Sequence, residues 1–415
     1  MLAFRTLVES RPGFASKERV RDADRLIVAR GLRGFADGAV SVLLASHLMR
    51  LGFSPLEVGA IVTGTLVGSA VLTIIVGVPG HRLPRKHVLL AASALMLATG
   101  IGFTQLESFW PLLLVAVVGT LNPSAGDVSV FLPVEQAALA EIVPDRSLTR
   151  AFSWYNLSGT IAGAVGALAS GIPELLAHRY GVDVAAGERI GFLLYAAVAA
   201  TVALLYRGLS PAIEHRGEAA PAPLARSRSV VLRLAALFSL DSFGGGFTVQ
   251  SLLVLWLHRR FDLSVAVMGM FFFVAGLLAA FSQLASSYLA ARIGRIRTMV
   301  YTHLPANVFL MLAGVAPDAT LAVSFLLVRM ALSSMDVPAR QSYVMAIVPP
   351  EERAAASSVT NVPRSLATAL APLLAGMMLE RSSFGWPLVV GGLLKAVYDV
   401  LLLLQFRAVK PEGEP

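Results

Sequence analysis

Two stretches of this 415-residue chain decide how it is built: PVEQAALAEIVPDRSLTRAFSWYNLSGTIAGAVGALASG at 133–171 and PARQSYVMAIVPPEERAAASSVTNVPRSLATALAPLLAG at 338–376. Laid over each other without a gap, at an offset of 205, they share Pro133/Pro338, Gln136/Gln341, Ile142/Ile347, Val143/Val348, Pro144/Pro349, Ala151/Ala356, Ser153/Ser358, Asn156/Asn361 and Gly171/Gly376. Apolar coincidences follow from composition, so the polar matches carry the weight. At an offset of 210, Ser54/Ser264, Gly59/Gly269, Arg82/Arg292 and Arg85/Arg295 pair as well. The chain is therefore one unit used twice.

The unit is a bundle of membrane-crossing helices. Hydrophobic residues make up 56% of the chain and charged ones only 14%, with a mean hydropathy of +0.71, whereas roughly a quarter of a soluble protein is charged. A span needs about 20 apolar residues. Runs of that kind recur at 25–49, 55–79, 87–105, 109–134, 150–176, 188–206, 230–257, 264–290, 298–316, 319–345, 353–379 and 385–406. The polar, Pro- and Ala-rich stretch 207–229 reads as a linker, which divides the chain into a mixed-charge tail (1–24), two six-helix bundles (25–206 and 230–406) and a short tail (407–415). Residues 1–24 lack the apolar core of a signal peptide.

The net charge of +8 has a topological explanation. Arg82, Arg85, Lys86, Arg146, Arg150, Arg233, Arg292, Arg295, Arg297, Arg340 and Arg353 fall on one side with the linker, against Arg50, Arg179, Arg189, Arg259, Arg260 and Arg381 on the other. Lys and Arg stay on the cytoplasmic side, so both termini and the linker are expected there, and no nucleic-acid partner is needed to account for the basicity. The chain has no Cys, which excludes disulfides, thiolate metal sites and thiol nucleophiles. It carries no H-E-x-x-H, G-x-S-x-G or P-loop. The seven histidines fall in loops or near span ends. Neither an enzyme nor a bound cofactor or metal is expected.

Duplicated bundles of this kind serve secondary transporters, whose substrate site lies at the midplane between halves. The inner loop Gly77-Val78-Pro79-Gly80-His81-Arg82-Leu83-Pro84-Arg85-Lys86 follows the pattern G-x-L-a-D-R-x-G-R-k, with His81 and Pro84 replacing its aspartate and second glycine; Leu289–Arg295 carries a second copy. By these motifs the chain resembles the major facilitator superfamily from about Arg25 to Arg407. The resemblance implies an all-α fold of twelve spans in two pseudo-symmetric bundles, a single chain enclosing its own path, and a place in a bacterial cytoplasmic membrane. Gly159–Gly166 and Ala371–Gly376 resemble the small-residue element of the family's exporters, so proton-coupled export of a small organic solute is the leading expectation. A proton-coupled importer or uniporter, of a solute that could be anionic, is the second, and a non-transporting receptor or assembly protein the third. His81, Arg82, Arg85, Arg292 and Arg295 are expected to form an inner gate.

Ionised groups at membrane depth cost about 2.5–3.5 kcal/mol each on insertion scales, so each needs a reason. Arg30, Arg33, Asp37 and Ser41 form one stripe along the first span. In the resembled fold the first, fourth, seventh and tenth spans line the cavity, which adds Asn122, Asp127, Asp241, Gln250, Arg329 and Asp336. Tyr155, Asn156, Asn361 and Arg364 on the fifth and eleventh spans complete the candidate substrate contacts. Asp37, Asp241 and Asp127 are the candidate proton carriers. The alternative reading is internal pairing, Arg33 with Asp37, Lys395 with Asp399 and Arg329 with Asp336, which suits groups three to seven residues apart on one helix. Gly244-Gly245-Gly246 on the seventh span points to a bend or a break.

Overall fold

The computed structural model describes residues 17–77, 83–124, 129–181, 183–214, 224–349, 352–407 and 409. Among them the first bundle comprises α1 (Lys17–Arg50), α2 (Pro55–Gly77), α3 (Arg85–Gln105), α4 (Phe109–Val118), α5 (Phe131–Ile142), α6 (Asp145–Ala169), α7 (Ile172–Tyr180) and α8 (Val184–Arg207). The second comprises α9 (Arg228–Gly246), α10 (Gln250–Phe261), α11 (Val265–Ile293), α12 (Arg295–Val315), α13 (Ala319–Ser333), α14 (Asp336–Ile347), α15 (Arg353–Arg381) and α16 (Trp386–Phe406). Among the described residues ten segments are long and apolar enough to cross a membrane. The other two expected spans fall on α1, which is long enough but charged, and on α4 with α5, which are short.

The fourth span is the main departure from the expected run 109–134. Among the described residues its helix stops at Val118 and the next one begins at Phe131. Asn122-Pro123-Ser124 explains the stop: proline cannot continue the ladder, and the Asn122 side chain accepts from the Ser124 amide (3.2 Å) and hydroxyl (2.9 Å) in a local turn. The tenth span breaks at the corresponding place, since α14 starts at Asp336, 205 residues after Phe131. The seventh span breaks after its glycines, as expected, between Gly246 and Gln250. Those glycines also admit neighbours. A Cβ on Gly246 would lie 2.3 Å from the Thr368 carbonyl of α15, and one on Gly244 2.9 Å from Lys395 of α16.

Pieces of broken span meet at the centre. Ser251, at the start of α10, donates its hydroxyl to the carbonyls of Ser41 (2.8 Å) and Pro123 (3.0 Å), and its amide to Pro123 (3.1 Å), so backbone polar groups freed by the breaks find partners inside protein. Between the halves, α2 packs on α15 and α6 on α11. The outward faces carry large exposed apolar side chains such as Trp110, Leu204, Phe281 and Leu284, the surface that a lipid solvent requires. An interior cluster including Leu26, Leu44, Phe103, Phe131, Tyr155 and Phe192 runs from the first bundle on into the second, where it takes in Leu252, Trp256 and Leu310, and another including Leu234, Phe238, Met299, Tyr343, Tyr398 and Leu402 lies within the second.

Candidate functional site

Two buried charge clusters stand at the same place in the two bundles. In the first, the Arg33 guanidinium donates to Glu135, which is fully buried, and lies 4.2 Å from the centre of the Phe131 ring. Tyr155 and Tyr206 donate their hydroxyls to the two oxygens of the same carboxylate, each at 2.5 Å. A buried carboxylate with three donors, one of them charged, has its lone pairs well used. Asp37, one turn from Arg33, is hydrogen-bonded by Asn122. Arg30 lies 5.7 Å from the centre of the Tyr155 ring and against Gly159, where a Cβ would fall 2.4 Å from its Nε; that Nε has no hydrogen-bond partner.

In the second bundle Asp241 is the hub. Lys395 donates to one of its oxygens at 2.6 Å and Arg340 to the other at 3.3 Å, with His303 Nε2 at 3.7 Å. Arg340 also pairs with Asp336 (3.0 Å), while His303 Nδ1 (2.9 Å) and the Asn307 amide (2.8 Å) hold Asp399. Arg364 donates to the Ser242 hydroxyl at 2.8 Å. Arg329 donates to the Met330 sulfur at 3.2 Å, and its Nε has no partner.

At two positions the clusters correspond with reversed sign. Glu135 and Arg340 are one column of the repeat, 205 apart. Gly38 packs on Gly163 and Gly246 on Thr368, again 205 apart; Arg33 stands five residues before the first glycine and Asp241 five before the second. The first bundle thus pairs a cation on its first span with an anion on its fourth, and the second bundle pairs an anion with a cation.

The expected pairings within single helices are therefore corrected. Arg33 reaches Glu135 rather than Asp37, because the break in the fourth span carries residue 135 into the bundle. Lys395 reaches Asp241 rather than Asp399, because Gly244 lets α16 lie against α9. Asp336 takes Arg340 rather than Arg329. His303, read as lying near a span end, is buried and central.

Other candidates are placed as follows. Ser41 is buried and donates to the Gly38 carbonyl at 2.8 Å. Gln250 is half-buried at the start of α10; Asn156 and Asn361 are exposed, the latter donating to Ser357 on its own helix. Arg85 pairs with Glu141 (3.3 Å) and also donates to the Ile213 carbonyl at 2.5 Å, Arg295 donates to Ser342 (3.2 Å), and Arg292 stacks on Tyr288. Arg85 thus contacts its own bundle and the linker, and Arg292 and Arg295 contact their own bundle. Asp127, His81 and Arg82 lie outside the described residues. Among the described residues no group of His, Asp and Glu is placed to hold a metal ion.

Residues 26–328 and 305–415 match the sequence pattern of the Major Facilitator Superfamily. The chain belongs to that family. It is a multi-pass membrane protein, a transporter of a small solute and not an enzyme. An uncharacterized membrane protein of Saccharomyces cerevisiae, YJR124C, is 26% identical over 94% of this chain and 95% of its own. The multidrug efflux protein YfmO of Bacillus subtilis is 30% identical over 34% of this chain and 36% of its own. Among solved structures, a bacterial homolog of the human lysosomal transporter Spinster, inward-facing and occupied, superposes with a TM-score of 0.74 at 16% identity over 95% of this chain and 98% of its own.

Proposed function

We propose that this superfamily transporter exports a small organic solute in exchange for protons, with Asp37 as the proton-carrying group. The observation that carries the reading is the contrast between Asp37 and the other carboxylates of the two charge clusters. Glu135, Asp241, Asp336 and Asp399 each have a basic or imidazole nitrogen within 4.0 Å; among the described residues Asp37 has none. Neutralising Asp241 would strand Lys395 and Arg340 at membrane depth, a loss of about 3–5 kcal/mol for a broken buried pair. Neutralising Asp37 breaks no such contact pair, since Arg33 keeps Glu135. Asp37 also stands one turn from Ser41, whose carbonyl ties the first span to Ser251 of the seventh, so a change in its charge falls where the two bundles meet. Outward movement is supported by the partial likeness to a multidrug efflux protein.

Proteoliposomes with an imposed pH gradient test this directly, using fluorescent cationic and anionic probes. Asp37→Asn is expected to abolish gradient-driven movement while solute counterflow survives. Gradient-driven transport retained in Asp37→Asn would remove the role of Asp37, and solute moving with the proton rather than against it would remove the export reading.

A further inference from the structure

At the ends of α2 and α11 that face each other's bundle, the sequence repeat has produced the same polar contact twice. Ser54 and Ser264 cap these helices, their hydroxyls accepting from the amides of Glu57 and Val267, each at 3.3 Å. A helix N-terminus leaves four amides without intrahelical partners, and the serine satisfies the one three residues on. The amide left between, Leu56 in one helix and Ala266 in the other, is taken by a glutamate from the opposite bundle: Glu380 of α15 accepts from Leu56 at 3.1 Å, and Glu174 of α7 accepts from Ala266 at 2.8 Å. Leu56 and Ala266 are themselves 210 apart, the offset of that part of the repeat.

The approach that permits each contact is also duplicated. Gly171 and Gly376 are one column of the repeat, 205 apart. A Cβ on Gly171 would lie 2.7 Å from the Ala266 Cα, and one on Gly376 3.0 Å from the Gly59 Cα and 3.3 Å from that of Leu56. Larger residues there would hold the bundles apart and lift each glutamate off its amide.

We infer that Glu174 and Glu380 are paired latches that hold the two bundles shut at this end, each carboxylate capping a helix N-terminus of the other half. The contact is charge-assisted and sits at the positive end of a helix dipole. It joins groups that move apart if the halves rock, so both latches must break whenever this end opens. The inference needs neither the proposed direction nor proton coupling, only that the halves move.

The absence of native Cys makes the test clean. Spin labels on cysteines at Gly181 and Ser382 report this end, and labels at Leu83 and Arg297 report the opposite end. In Glu174→Ala with Glu380→Ala, the first pair is expected to populate a longer distance several-fold more than in the parent chain, while the second pair shifts to a shorter one. Glu174→Gln with Glu380→Gln, which keeps an acceptor oxygen but no charge, should fall between. Unchanged distance distributions in the double alanine variant, or broadening at both ends together, would overturn the latches.

Discussion

Arg33 and Glu135 make the sharpest energetic claim in the molecule, because each is wholly enclosed and, among the described residues, each is the other's only countercharge in direct contact. Arg33→Gln or Glu135→Gln alone is expected to lower stability by about 3–5 kcal/mol, since it leaves one charge buried without its partner, whereas the double change should recover most of the loss. Thermal melting of the four purified variants measures the coupling, and additive losses would show that the two residues act separately. Half of this pair was legible in the sequence. Arg33, like Arg30, Asp37 and Asp241, announces itself as an ionisable group inside an apolar run. Glu135 does not, because the expected fourth span ended at 134 and everything after it passed for inner loop. The signal was present in the repeat: a column holding Glu135 in one copy and Arg340 in the other, reversed in sign among otherwise matching neighbours.

Breaks in helices explain most of what the periodic pattern left unread. The fourth, seventh and tenth spans are each two pieces, and the pieces beyond the breaks carry Glu135, Arg340 and Ser251 into the interior. The triple glycine was readable as a break because of its backbone alone; the pause at Ser334 and Met335 between α13 and α14 has no comparable local mark. The junction from the linker into α9 has a separate device. Glu352, just before α15, accepts from the amides of Ala225 (3.2 Å), Arg226 (3.0 Å) and Ser227 (3.1 Å) and from the Ser227 hydroxyl. The Ser227 hydroxyl and these amides hold its carboxyl down to about 2 from the ordinary 4.5. A depressed carboxyl stabilises the fold fully above its ordinary range, and that contribution declines as pH falls from about 4.5 and is gone below about 2, so the clamp is ionised throughout neutral conditions. Glu352→Ala should speed tryptic cleavage at Arg226 and Arg228 several-fold, with little dependence on pH between about 6 and 8. Equal cleavage rates in variant and parent would show that the clamp does not hold this segment.

For the molecule as a whole, the duplication is legible in residues 133–171 and 338–376, since polar matches at a fixed offset do not arise from apolar composition, and the helical class is legible in the apolar runs. How the bundles face each other could not, because helix-to-helix approach depends on glycines whose neighbours lie hundreds of residues away. The basic residues gathered on the linker side predict that this side is cytoplasmic. Single cysteines at Ala225 and Thr320, both exposed, are expected to react with an impermeant maleimide from opposite faces of intact cells, Thr320 from outside. Labelling of Ala225 from outside would invert the orientation. The reversed ion pairs carry a lesson about ancestry. A gene doubled from one bundle begins with the same signs in both copies, and passing to opposite signs one codon at a time runs through a protein with a like-charged pair sealed in its interior. Such crossings should be rare events, so the order of signs, Arg then Glu in the first copy and Asp then Arg in the second, serves as a pedigree mark. Descendants of the same crossing should keep both members of each couple or exchange both together.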